Sequence, residues 1–198
     1  MQVIDFTSAD RIMSEGHTSK GDQPKWKQSG NWYKADHMGY EALSEIIVSR
    51  LLTWSNADDF VVYQPVFIHY NDKVISGCSS HDFMRKDEML IPFERLHRAY
   101  EGRGLAQALT KFDSPADRIA YTVGFVERVT NLTGVGAYLT AILELDCLTL
   151  NEDRHTNNLA VLRNEETKEF RLCPIFDNGL SLLSYLNDYP LTDDLYTC

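Results

Sequence analysis

The run NEDRHTNN at 151–158 sets a carboxylate and an amide five positions apart. Asp153 and Asn158 fit Asp-x-x-x-x-Asn, a spacing suited to phosphoryl transfer: the Asp accepts or orients the proton of an attacking hydroxyl, and the Asn offers a hard oxygen to magnesium. Alone the pattern is weak, because Asp and Asn also cap backbone groups in helix-to-strand loops. Asp177, in FDNG, follows 19 residues after Asn158, which leaves room for one β-hairpin between them. Magnesium is usually held by one or two carboxylates together with substrate phosphates, so Asn158 and Asp177 form a candidate metal pair. Lys34, in WYKAD, is a strand lysine ahead of a helix that carries Glu41 and Glu45. Such a lysine can pair with a helix glutamate and contact phosphate oxygens. Glu41 and Glu45 share a helix face; Glu41 is preferred as the partner, with a solvated face as the bland alternative for both. The stretch SKGDQPK at 19–25 has the glycine and small polar residues of a loop whose backbone N–H groups can face phosphate. It is not a Walker A loop.

These residues need elements to hold them. Residues 24–36 read as two short strands, PKWKQ and NWYKAD, around a Ser29-Gly30 turn. The apolar spacing of Leu43, Ile46, Ile47, Val48, Leu51 and Leu52 predicts a helix from about Gly39 to Thr53. VVYQPVFIHY and KVISGC read as a second hairpin turning at Asn71-Asp72, with Pro65 near an edge or a bend. From about residue 81 the pattern turns helical. Ser114-Pro115 is a start signal for a helix to Leu132, and Thr133-Gly134 separates it from another at 135–150. That last helix is apolar almost all round and is expected at the centre of its half. Asp146 within it would be costly if unpaired, which predicts a hydrogen bond to the 151–158 loop, through Arg154. Arg154 and His155 themselves read as structural. LAVLRN and KEFRLCPIF read as two closing strands. Trp26, Trp32 and Tyr33 read as strand packing.

The chain has 198 residues, 43% of them apolar, and a net charge of −10. This allows one domain or two small lobes sharing a cleft. The acidic balance argues against a nucleic-acid partner and against an anionic membrane. No apolar run spans a bilayer, and the amino terminus has no signal-peptide character. Cys78, Cys147, Cys173 and Cys198 are scattered, which suits reduced thiols and a cytoplasmic location. The sequon at Asn131 carries no weight without secretion.

Taken in order, Ser19-x-Gly21-x-Gln23-x-Lys25, Lys34, the Tyr40-Glu41 helix start, the Asp-Phe pair at 82–83, NEDRHTNN and FDNG resemble the HipA-like serine/threonine kinases. The likeness is to the short branch that includes the cell-translocating kinase type, and it runs from residue 14 to about 185. The resemblance implies an α+β, two-lobed, protein-kinase-like fold, with a β-rich first lobe at 1–80 and a helical second lobe at 81–198. It implies ATP and Mg2+ as cofactors. Asp153 would be the catalytic Asp, Asn158 and Asp177 the magnesium ligands, and Lys34 the phosphate contact. Ser19, Lys20, Gly21 and Glu41 would belong to the nucleotide site, and Ser80, His81 and Phe83 to an adenine-binding hinge. Ser19 would match a loop serine that is autophosphorylated in HipA-type toxins. The implied partners are a protein substrate with a Ser or Thr hydroxyl and a cognate antitoxin or regulator. Asn178-Gly179 stands where a protein kinase has Phe-Gly, and the family continues with further helices past residue 198. A small-molecule kinase of aminoglycoside or lipid type, and a non-catalytic nucleotide-binding pseudokinase or partner-binding module, are the alternatives.

Overall fold

The computed structural model describes residues 3–7 and 23–191. Ser19, Lys20 and Gly21 lie outside them. The fold is mixed α/β, and its residues group into two compact units. Residues up to Asp82, Thr149–Asp153 and the segment from Asp177 make the first unit; Phe83–Leu148 and Arg154–Phe176 make the second. The sequence reading assigned everything after residue 80 to one lobe, whereas 149–153 and the segment from Asp177 group with the first unit.

The first unit is built on a five-stranded sheet in the order β1-β4-β5-β3-β2. β2 (Lys25–Gln28) and β3 (Asn31–Ala35) form the expected first hairpin. Ser29 and Gly30 both have positive φ, 49° and 77°, as two-residue turns matched to strand twist require. β4 (Gln64–Tyr70) and β5 (Lys73–His81) form the second hairpin, turning at Asn71 and Asp72 as read. β1 (Val3–Asp5) lies parallel to β4 and pairs only with Phe67–His69. Pro65 therefore sits beyond the β1 pairing, where its missing N–H costs the sheet nothing among the described residues. β1 was not foreseen, because three residues carry too little periodicity. On one sheet face Phe6 stacks on Trp26 with ring centroids 5.0 Å apart, over Val66, Ile68 and Ala35. α1 (Glu41–Leu52) packs against β3, β4 and β5.

The second unit holds a three-stranded sheet, β6-β7-β8, and four helices. β7 (Ala160–Asn164) and β8 (Phe170–Leu172) are the two closing strands, the second much shorter than read. β6 (Glu88–Pro92) overturns the expectation of helix from residue 81. Its five residues gain a strand only by pairing with β7, Leu90 opposite Leu162, a contact across the sequence that no local pattern announces. α2 (Phe93–Glu101) and α3 (Leu105–Leu109) follow. α4 (Pro115–Thr130) starts as predicted, with the Ser114 hydroxyl accepting from the Ala116 N–H. α5 (Val135–Thr149) has the predicted extent but not the predicted burial. It buries Val135, Leu139, Ile142 and Leu145, while Leu143 and Leu148 are exposed, Leu148 by 74%. Its apolar composition thus overstated how much of it enters the core. That core joins α5 to Phe93, Leu96, Leu105, Phe125, Val126 and Val161.

Among the described residues no helix is long and apolar enough to cross a membrane. Cys78, Cys147 and Cys173 are free thiols.

Candidate active site

Lys34 lies on β3 and faces α1. Its Nζ donates to a Glu45 carboxylate oxygen and, at 2.8 Å, to Asp177 Oδ1. Glu45 is fully buried and Lys34 nearly so. Burial opposes the charge on Lys34, but Asp177 and Glu45 more than reverse that, so its pKa is raised well above the ordinary lysine value. The other Glu45 oxygen accepts the N–H of Asn178 at 2.9 Å. One carboxylate on α1 therefore ties together the strand lysine and the backbone directly after Asp177.

This corrects the preference for Glu41. The Glu41 carboxylate turns back and accepts the N–H groups of His37, Met38 and Gly39, at 3.3, 2.7 and 3.1 Å. It closes the loop that enters α1, because a carboxylate in the first turn is drawn to unpaired amides and to the positive end of the helix. Glu45, one turn later, is the residue that reaches β3.

Asp177 has φ of 62°, a left-handed conformation that is uncommon for a residue with a side chain, although Asp tolerates it better than most. Strain of this kind persists where the surroundings over-determine it, often at functional sites. The following segment is tied to α1 and the loop before it. The Ser44 hydroxyl donates to Ser181 O at 2.9 Å, and Ser184 Oγ donates to Gly179 O at 2.6 Å. Leu182 and Leu183 also have positive φ, both 58°. Their carbonyls accept the Tyr40 hydroxyl at 3.0 and 3.1 Å, and the Leu182 N–H donates to Thr149 O at 2.7 Å. The sequence reading used Tyr40 only as a helix start; its hydroxyl role left no local signal.

Asp153 belongs to the same unit as Lys34, Glu45 and Asp177, and its N–H donates to Asn151 Oδ1 at 3.1 Å. Asn158 belongs to the second unit, where its N–H donates to His155 O at 2.9 Å. Arg154, as predicted, pairs with Asp146: Nε and Nη2 donate to its two oxygens at 2.9 and 3.0 Å. The same guanidinium donates to Phe176 O at 2.9 Å and reaches Asn158 O at 3.4 Å. A buried two-pronged pair thus fixes the loop and the residue before Asp177 to α5. Glu94, which the sequence reading passed over, accepts from the Thr156 hydroxyl at 2.8 Å and from the Ala106 N–H at 2.9 Å.

Of the expected hinge residues, Ser80 is buried on β5 opposite Trp32, His81 is exposed at the end of that strand, and Phe83 stands in the second unit, 5.7 Å from Phe176 between ring centroids. Asp82 accepts from Trp32 Nε1 at 3.2 Å and pairs with Lys27 at 2.6 Å. A shallow cavity on the first unit is lined by Asn31, Tyr33, Gln64 and Ser79 among others. Asn31 and Tyr33 alternate with Lys34 along β3, so this cavity opens on the other sheet face and is not part of the lysine site. Among the described residues no three His, Cys, Asp or Glu side chains gather to hold a metal. A hard cation here would take one protein carboxylate at a time and complete its shell with phosphate and water, which is magnesium's habit; the charged oxygen set around Lys34 fits that chemistry.

No family model matches the chain, and no curated protein matches it. A solved structure does: the Helicobacter pylori proinflammatory kinase CtkA, with a TM-score of 0.57 at 20% identity. The match covers 91% of this chain and 59% of that one. The fold is kinase-like. The chain spans about three fifths of the length of that neighbour.

Proposed function

We propose that this chain is an ATP- and magnesium-dependent phosphotransferase, a HipA-like serine/threonine kinase acting on a protein hydroxyl. The observation that carries the reading is the buried Lys34–Glu45–Asp177 cluster. A lysine kept charged between two carboxylates, on a strand and a helix of a kinase-like fold, has little use in a purely structural domain. Replacing such a buried ion set with apolar residues is often neutral or stabilising.

The roles follow from the side chains. Lys34 holds phosphate oxygens by its ammonium, and Glu45 keeps that ammonium aimed and protonated. Asp153 accepts the proton of the attacking hydroxyl as its oxygen bonds to the γ-phosphorus and the bond to the β-phosphate oxygen breaks. Asp177 and Asn158 are the oxygen ligands for magnesium, which when bound neutralises the phosphate charge. Backbone at Ser80, His81 and Phe83 serves adenine, and the 19–21 stretch serves the phosphates.

The test is incubation with γ-labelled ATP and magnesium, followed by intact-mass analysis and peptide mapping. Wild type is expected to transfer phosphate to Ser19 or a neighbouring hydroxyl, or to an added protein. Asp153→Asn and Asp177→Ala are expected to lose at least about a hundredfold in rate while keeping the wild-type circular dichroism spectrum. Near-normal turnover in either variant refutes the assignment. Transfer to an aminoglycoside or lipid hydroxyl alone would make it a small-molecule kinase. Nucleotide binding without transfer would make it a pseudokinase.

A further inference from the structure

Tyr63 lies just before β4, 3% exposed, with its ring centroid 5.3 Å from Lys34 Nζ. Glu45 and Asp177 take two of the ammonium's three N–H donors, and the Tyr63 ring face and the Cys78 side chain, opposite Lys34 on β5, also meet the charge. The backbone that carries the ring is anchored to α1. The Tyr63 N–H donates to Ser49 Oγ at 3.2 Å, and that hydroxyl donates to Ile46 O at 3.0 Å. Ser49 is fully buried and stands one helical turn after Glu45 on α1. Helix α1 therefore supplies Lys34 with a carboxylate directly and, through Ser49, holds the backbone position from which the aromatic ring reaches it.

We propose that Tyr63 is a positioning residue for Lys34: its π face holds the ammonium in the pose that meets the nucleotide phosphates. This deepens the phosphotransferase reading and rests on it for the nucleotide, though not for the lysine. The physical ground is the ring quadrupole, whose negative face attracts a cation within about 6 Å, and does so more strongly where water is excluded. A buried site supplies that condition. When phosphates bind, Lys34 must share its donors with them. A partner that takes no hydrogen bond keeps the ammonium in place without competing for those donors. A third carboxylate there would compete for the donors and repel the phosphates.

Two readouts test this. The first is Lys34 itself, followed by brief acetic anhydride labelling at one fixed pH and peptide mass analysis; an amine held against Glu45, Asp177 and the ring is shielded from the reagent, so the labelling reports how firmly the site holds the side chain, with or without any enzyme activity. The second is the KM for ATP against kcat. Tyr63→Met, which keeps bulk and removes the π face, is expected to raise Lys34 labelling and the KM for ATP each by about thirtyfold, the scale of a desolvated cation–π contact. Tyr63→Phe, which keeps the face and drops the hydroxyl, is expected to rescue both. If Met and Phe both behave as wild type, or both are equally impaired, the ring face is not what holds Lys34 and the proposal falls. If wild type transfers no phosphate yet labelling rises in Met and recovers in Phe, the lysine role stands and the phosphotransferase reading fails.

Discussion

Lys34 and Arg154 are each held by carboxylates, and the arrangements differ in what they leave open. Arg154 meets Asp146 through a two-pronged fork and spends its remaining donor on backbone carbonyls. That is a fixed bolt, because a fork that meets both carboxylate oxygens of one residue allows a single geometry. Lys34 is a point charge with rotatable donors, set between Glu45 and the strained Asp177, and a point charge can hand a donor to an incoming phosphate. A third pair, Glu88 with Arg171, reports on acid stability. Hydrogen bonds from Arg171, working against partial burial and helped by the Arg85 N–H, hold the Glu88 carboxyl down to about 2 from an ordinary 4.5. Because the folded value is the lower one, the pairing contributes stability in full above about pH 4.5 and loses it as pH falls towards 2. Urea midpoints measured between pH 6 and pH 2.5 should fall less steeply for Glu88→Gln than for wild type; parallel curves would mean that the pair contributes nothing.

At the scale of elements, the two hairpins were legible because turn chemistry is local. Ser29-Gly30 and Asn71-Asp72 adopt the positive φ values that small or Asx residues tolerate. The segment after Asp177 was not legible as structure, because its partners lie far away in the chain. It runs close against the entry to α1: a Cβ on Gly39 would come within 1.8 Å of Ser184 O, and Gly39 bridges to Tyr185. Gly39 is thus required for close backbone approach and not for its own dihedrals. Gly39→Ala is expected to cost about 2 kcal/mol in urea unfolding, as an overpacked site does, and to loosen the Tyr40 bonds to Leu182 and Leu183. Unchanged stability would show that the two backbones separate without penalty.

At the scale of the whole molecule, the chain passes between the two units after residues 82, 148, 153 and 176. The first unit is therefore discontinuous. Its sheet and α1 end by residue 82, yet Glu45 is satisfied by Asn178 and Ser44 by Ser181, which come roughly a hundred residues later. A fragment covering 1–82 would keep the five strands and the Lys34–Glu45 pair but leave one buried Glu45 oxygen and the buried Ser44 hydroxyl without their partners. It is expected to lack a cooperative unfolding transition by circular dichroism, whereas the full chain should show one. A sharp transition in the fragment would mean that the later segments are dispensable to the first unit.

Residue types and short-range order put Asp153, Asn158, Asp177 and Lys34 forward as candidates, and were enough to predict the Arg154–Asp146 pair and to place both hairpins, α1 and α4. Capping, turn preference and apolar spacing act over a few residues, and a sequence displays them directly. The tertiary structure decided the rest. It chose Glu45 over Glu41, since two carboxylates on one helix face differ only in which is level with β3. It made a strand of Glu88–Pro92, since β7 was needed to pair it. It exposed Leu143 and Leu148, since composition cannot say how many faces of a helix meet a neighbour. It brought Tyr40 to the carbonyls of two left-handed leucines and Tyr63 to Lys34. Each of these depends on a distance between residues remote in sequence, and a one-dimensional pattern contains no such distance.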